Sequence, residues 1–188
     1  MRRRTFAAAV LIALVGRSAA AQSWQQAILS EPVYDDETHD YGLPPTATIR
    51  TGNYDAPTPT RVVGATTITT PQLRDMMLKA PTLTLIDVLG GNQTVSLPGA
   101  IWLPEAGQGT GLDDPLQQRL AARLVQLTGG DKAKAMAFFC LSKTCWLSHN
   151  STVRAVSLGY ANVYWYRGGR NAWKAAGLAL EPVKSREL

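Results

Sequence analysis

The chain has 188 residues, with 19 Lys and Arg against 14 Asp and Glu and two cysteines; that length allows one domain with an appendage. Four of the basic residues, Arg2, Arg3, Arg4 and Arg17, lie in the first 21 positions, which hold no acid, so 15 remain beyond them and the net charge there is +1 rather than +5. A nearly neutral body excludes the basic surface expected of a nucleic-acid-binding protein.

The opening MRRRTFAAAVLIALVGRSAAAQ has the charged, apolar and small-residue order of a secretory signal peptide. Its apolar run, Phe6 to Gly16, is about 11 residues, too short for the roughly 30 Å of a bilayer core. The sequence predicts a signal peptide over residues 1–21, cleaved near Ala21, and a periplasmic protein without a stable membrane anchor. Disulfides persist in such a compartment. Residues 22–61 are rich in Pro, Thr, Gly and acids without helical or strand spacing, and read as an extended arm lying along the domain. His39 falls in it, as a solvated loop histidine.

From Val62 the pattern alternates. VVGATTIT is a short strand, and TTPQLRDMMLK a helix with Thr70 as N-cap and Pro71 at the first helical position. LTLIDV and GAIWLP are strands. DDPLQQRLAARLVQLTGG is a helix capped by Asp113 or Asp114, with Leu116, Leu120, Leu124 and Leu127 on one face and Gly129 and Gly130 at its end. AMAFFC is a strand buried on both faces, WLSHNSTVRAVSLG a helix, NVYWY a strand and GGRNAWKAAG a short helix. Apolar strands separated by helices predict an α/β fold with a mainly parallel sheet of about five strands and helices on both faces. The domain is placed at 62–183, with a C-terminal tail at 184–188.

Both cysteines lie in FFCLSKTCWLSHN, Phe138 to Asn150. In a parallel sheet, ligands bind beyond the carboxyl ends of the strands, and Cys140 ends one. The amides of Leu141, Ser142, Lys143, Thr144 and Cys145, with the helix start at Trp146, are expected to converge on its sulfur and favour an anion there. Lys143 adds a positive charge, and Ser142 and Thr144 further donors; such a setting makes a cysteine nucleophilic, the plain alternative for Cys140 being a buried core thiol. Cys145 has three readings: it resolves an oxidised Cys140, it forms a permanent disulfide with it, or, with His149 one turn on, it completes a soft Cys/His metal site. An exposed or hydrogen-bonded helix residue is the plainer reading of His149. Asp87, at a strand end, orients the loop or a substrate, or caps backbone amides. Trp102, Trp146, Trp165 and Trp173 are expected to pack core and edges, and Trp146 also to shield the site. Arg167 and Arg170 flank Gly168-Gly169; a place near the loop mouth is open to them, and a solvated surface is the plainer expectation. Gly168 and Gly169 permit a tight strand-to-helix turn.

The run from Phe138 to Pro182, with the LTLIDV…LPGAIWLP segment before it, resembles the rhodanese, or single-domain sulfurtransferase, family. The resemblance covers roughly residues 62–183. It implies the rhodanese-like three-layer α/β fold, Cys140 as the persulfide-carrying nucleophile, Leu141 to Cys145 as its binding loop, and a sulfur donor or protein thiol as partner. Rhodaneses usually carry an arginine after the strand Asp–Val, where this chain has Leu89, and a basic residue near the loop's end, where it has Cys145. Two anion-binding groups expected for thiosulfate are therefore missing. YDAPTP, the CW pair and NVYWY also resemble the exported PQQ-dependent catabolism-associated CXXCW motif proteins, although the spacing here is C-x4-C-W. That resemblance implies service to a periplasmic quinoprotein dehydrogenase or its cytochrome, as a sulfur-transfer or redox protein or as a non-catalytic accessory module. No cofactor is expected, and nothing in the sequence binds PQQ itself.

Overall fold

The computed structural model describes residues 31–183. The signal-peptide expectation, the first part of the arm and the tail at 184–188 lie outside the described residues. The described residues from Val33 to Val183 fall in one compact unit.

Five strands form a parallel sheet: β1 (Thr66–Ile68), β2 (Thr84–Asp87), β4 (Ile101–Trp102), β5 (Met136–Phe139) and β6 (Val163–Tyr166), in the order β1-β6-β5-β2-β4. Four helices connect them: α1 (Thr70–Lys79), α2 (Pro115–Thr128), α3 (Trp146–Ser157) and α4 (Gly169–Ala175). The two-residue strands β3 (Val95–Ser96) and β7 (Glu181–Pro182) pair antiparallel beside the sheet. The sequence did not reveal this pair, because two residues are too few to display a period of two.

Side chains alternate across the pleat, and the register turns that alternation into two cores. Ile86, Phe138 and Val163 pack with Leu120 and Leu124 of α2 and Ala155 of α3. Leu85, Ala137, Phe139 and Tyr166 pack on the other face with Leu73 of α1 and Trp173 of α4. The result is a three-layer α/β domain with helices on both faces, as the alternating pattern predicts. Each fully buried Phe or Ile contributes about 1.5–3 kcal/mol of transfer free energy.

Helix starts follow their capping chemistry. Asp114 is the N-cap of α2, its carboxylate accepting from the Gln117 amide at 2.9 Å, and Gly129 closes that helix in the left-handed region at φ 66°. The cap of α1 is Thr69 rather than Thr70, a one-residue shift. Gln72 accepts from the Thr69 amide at 3.0 Å. The first-turn amide and hydroxyl of Thr70 instead go to the buried Glu37 carboxylate, at 2.9 Å each. Burial pushes the Glu37 carboxyl above its ordinary value, against the pull of these bonds.

Helix α3 differs from its neighbours in being buried all round, from Trp146 to Ala155. Its polar side chains are nonetheless matched one by one. Asn150 bonds the Arg50 and Gly107 carbonyls and the Arg50 amide. Ser151 and Thr152 bond carbonyls one turn back, and Ser148 accepts from the Trp165 indole at 2.9 Å. Arg154 is paired with Asp114 at 2.8 and 3.0 Å and with Gln117 at 2.9 Å. Arg154 Nε is left without a partner, and His149 is the one side chain of this set with none at all. It lies between Trp146 and Trp165, with ring centroids at 4.7 and 5.5 Å, and neither ring nitrogen has a hydrogen-bond partner. The surface or hydrogen-bonded histidine expected from sequence is therefore corrected. A covering of arm and loop, which helix periodicity does not reveal, encloses this face.

Arg167 and Arg170 are also buried, not solvated as expected. Arg167 reaches from the end of β6 into the arm and donates to the carbonyls of Glu37 (2.8 Å), His39 (2.9 Å) and Thr58 (3.0 Å), and to the Thr58 hydroxyl (2.9 Å). A guanidinium presents its donors in a fixed fork, so one side chain pins two stretches of arm that are about 20 residues apart in sequence.

Two outcomes follow from this packing. R167A removes four charge-assisted bonds, and is expected to cost about 2–4 kcal/mol in denaturant unfolding and to speed tryptic cleavage at Arg50; an unchanged cleavage rate would mean that the arm is held by something else. Burial lowers the His149 pKa from 6.5 to about 4. Between those values the unfolded chain binds a proton that the folded one does not, so stability is full above pH 6.5 and falls as the pH drops toward 4, by about 3 kcal/mol in total. Urea titrations across that range are expected to show the loss, and H149F to flatten it relative to the parent.

Candidate functional site

Cys140 follows β5 at the carboxyl edge of the sheet and is disulfide-bonded to Cys145, the N-cap residue of α3. Of the readings open for Cys145, the structure therefore holds one of the two that join the sulfurs. Neither sulfur is then a thiolate metal ligand in this state, and no group of three or more His, Cys, Asp and Glu among the described residues is arranged to hold a metal ion.

Two sets of backbone bonds hold the loop. On one side, the turn after β6 supplies amides: Arg170 N–H donates to the Cys140 carbonyl at 3.0 Å and Asn171 N–H to the Leu141 carbonyl at 2.9 Å. This approach requires glycine at 169, where φ is +61° and a Cβ would stand 2.5 Å from the Cys140 oxygen. On the other side, the arm runs antiparallel to the loop's end, with Asp55 opposite Cys145. Ala56 N–H donates to the Thr144 carbonyl and Trp146 N–H to the Tyr54 carbonyl, both at 2.8 Å.

Asp87 anchors the first of these sets. It is fully buried at the end of β2 and accepts from Arg170 Nε at 2.7 Å, Arg170 Nη2 at 2.5 Å, the Leu89 amide at 3.0 Å and the Ser96 hydroxyl. Burial pushes its carboxyl upward, while Arg170, Ser96 and the Leu89 amide pull it back. Arg170 thus joins Asp87 through its side chain to Cys140 through its own amide. Residue type alone did not show this link, although an acid at a strand end and an arginine after Gly-Gly were its two visible halves.

The loop's polar groups are used differently from the sequence expectation. The Cys145 amide bonds the Ser142 carbonyl at 3.1 Å, and the Thr144 amide the Ser142 hydroxyl at 3.3 Å. With the Trp146 amide, three of the donors expected to face the Cys140 sulfur are directed at oxygen atoms. The hydroxyls of Ser142 and Thr144 bond each other at 3.0 Å, and Thr144 donates to Asp55 at 2.8 Å. Lys143 turns toward Asp35, its ammonium 3.7 Å from the carboxylate and bonded to the Asp35 carbonyl. Trp146 is buried, donates to the Pro57 carbonyl at 2.9 Å and stacks beneath Arg50.

A cleft of about 180 Å³ opens over the disulfide. Tyr54 and Asp55 of the arm, Leu89 after β2, Leu141, Ser142 and Cys145 of the loop, and Leu147 of α3 line it. Cys145 is 8% exposed, Cys140 1% and Leu141 45%. The Trp102 indole donates to the Leu89 carbonyl at 2.6 Å, fixing the cleft's far wall. Tyr54 and Asp55 were read from sequence only as part of an arm; their place against the disulfide depends on a backbone pairing that no side-chain pattern encodes.

Similar solved structures include a thiosulfate sulfurtransferase from Pseudomonas aeruginosa, 20% identical, with 65% of this chain and 21% of that one covered at a TM-score of 0.48. The chain thus spans about a fifth of that protein's length. The polysulfide-sulfur transferase homodimer of Wolinella succinogenes is 17% identical, with 63% and 79% covered at a TM-score of 0.46. A rhodanese-like domain from Anabaena is 19% identical, with 64% and 80% covered at 0.45. No curated protein matches the sequence. The rhodanese-like domain model matches residues 69–176, more than half of the chain, and spans α1, the cysteine loop and α4; the protein belongs to the rhodanese-like domain family.

Proposed function

We propose that the protein is an exported sulfur-transfer protein working through the Cys140/Cys145 couple. The observation that carries the reading is that these two sulfurs are bonded to each other in the loop at the carboxyl edge of the sheet. A bridge closing so few residues restrains the unfolded chain by about 2 kcal/mol, near the bottom of the usual range, so a redox role accounts for it better than a structural one. In the reduced protein, the Cys140 thiolate attacks a sulfane sulfur and takes it up as a persulfide, displacing the rest of the donor. Cys145 then attacks the Cys140 sulfur, expels hydrosulfide and leaves the disulfide. A disulfide donor gives a mixed disulfide instead, resolved in the same way with a thiolate as leaving group. Leu141, Ser142, Lys143, Thr144 and Trp146 shape the loop in this reading, and Asp87 positions its start through Arg170.

Export is supported by the arginine-led N-terminal sequence. Service to a periplasmic quinoprotein dehydrogenase or cytochrome is supported by the resemblance of YDAPTP, the CW pair and NVYWY to the CXXCW motif proteins.

Reduced protein exposed to a polysulfide is expected to release sulfide and return to the Cys140–Cys145 disulfide. A Cys145→Ser variant is expected to stop at a Cys140 persulfide detectable by mass spectrometry. The absence of any Cys140 adduct in the variant, with no sulfide released by the parent, would overturn the proposal.

A further inference from the structure

The disulfide left by that cycle has to be reopened, and the cleft selects what can do so. We infer that the disulfide is reduced by attack on Cys145, not Cys140, by a thiol that carries an apolar, uncharged or cationic body and no anionic group. This rests on the Cys140/Cys145 couple being functional, and adds which sulfur is attacked and by which class of reductant.

Cys145 lines the cleft while Cys140 does not, and in the bonded state, with its side chain held by the bridge, Cys140 is only 1% exposed. Thiol–disulfide exchange depends on access to one sulfur as well as on the attacking thiolate. The walls around Cys145 are Leu89, Leu141 and Leu147, with the Tyr54 ring. The one charged side chain among the described residues that line the cleft is Asp55. Lys143, the nearest lysine in the loop, is directed at Asp35. Arg170 is neutralised by Asp87. An anionic thiol would therefore meet a carboxylate and hydrocarbon with no cation to pair with, whereas a neutral or cationic one buries its body against the leucines.

The step balances. The thiolate RS⁻ forms a bond to Cys145 Sγ, the Cys140–Cys145 bond breaks, and the electron pair leaves on Cys140 Sγ, which takes a proton from water. A second RS⁻ then attacks the R sulfur of the mixed disulfide, releasing RSSR and the Cys145 thiolate. Two thiols are oxidised and one protein disulfide is reduced.

The test uses the parent protein with benzyl mercaptan (neutral, apolar), cysteamine (cationic) and mercaptoethanesulfonate (anionic). Each rate of disulfide opening is divided by the same thiol's rate with hydroxyethyl disulfide, which removes differences in thiol pKa. The normalised rate is expected to be at least about tenfold higher for benzyl mercaptan than for the sulfonate, with cysteamine between them. Quenching a limiting benzyl mercaptan reaction with N-ethylmaleimide and digesting with trypsin separates the cysteines, because Lys143 lies between them. The benzylthio group is expected on the peptide beginning at Thr144 and the maleimide on the one ending at Lys143. L89R, which places a cation on the cleft wall, is expected to raise the sulfonate rate relative to the other two. Equal normalised rates, or benzylthio on Cys140, would overturn the inference while leaving the redox couple intact. If none of the three thiols nor dithiothreitol opens the bond in the folded protein, both the inference and the couple fall together.

Discussion

The site depends on one constraint: a loop of six residues, Cys140 to Cys145, is gripped by backbone hydrogen bonds from two directions. The turn after β6 holds the carbonyls at its start, and the arm holds its end and the first amide of α3. Each grip has its own buried arginine. Arg170, tied to Asp87, fixes the turn, and Arg167, tied to Glu37, His39 and Thr58, fixes the arm. The two arginines stand on either side of Gly168-Gly169, so one short segment sets the position of both walls of the site. Glycine at 169 is what lets the turn approach the Cys140 carbonyl at all.

The buried arginines also account for charge placement. A guanidinium out of water is tolerated when all its donors find acceptors. Arg170 meets a carboxylate, whereas Arg167 meets only neutral oxygens, and burial lowers its pKa while Tyr41, Asp40 and Asp36 pull it back up. In both cases the positive charge is used for architecture and does not reach the cleft. Lys143 is taken by Asp35 in the same way. The chain is therefore rich in basic residues around its loop and yet presents a cleft walled by leucines and one carboxylate, the reverse of the environment that an oxyanion of sulfur requires.

Much of the fold was legible because it rests on local signals. Pro115 after Asp114, Gly129 after the leucine stripe of α2, the largely apolar run Leu83–Val88 and the unbroken one Met136–Phe139 each carry their own physics, and the sheet with its two helical layers follows from them. The site was legible in part. A cysteine at a strand end followed by a helix marks the right place, and Asp87 at another strand end marks a neighbour. The destination of each polar group was not legible. Asp87, Arg167, Arg170 and His149 look like surface or loop-mouth residues when read along the chain, because their burial comes from partners as far as 130 positions away, as for Arg167 and Glu37.

Helix α3 shows why such long-range covering matters for chemistry. By composition WLSHNSTVRAVS is a half-polar surface helix; enclosed by the arm, the loop around Gly107 and the sheet, it becomes an element whose buried polar atoms, the His149 ring nitrogens and Arg154 Nε apart, have assigned partners. A Cβ on Gly107 would overlap the Leu147 carbonyl, so the covering loop sits directly on the helix's first turn. Cys145 caps that turn. Opening the Cys140–Cys145 bond would leave Cys145 attached to a helix enclosed on all sides, while Cys140 stays tied to β5 and to the turn after β6. With both backbones gripped in this way, re-closure of an opened bond would need no large backbone movement. On the proposed redox reading, such a couple would rely on pre-organisation rather than on loop flexibility, and the covering of a polar helix would serve that end.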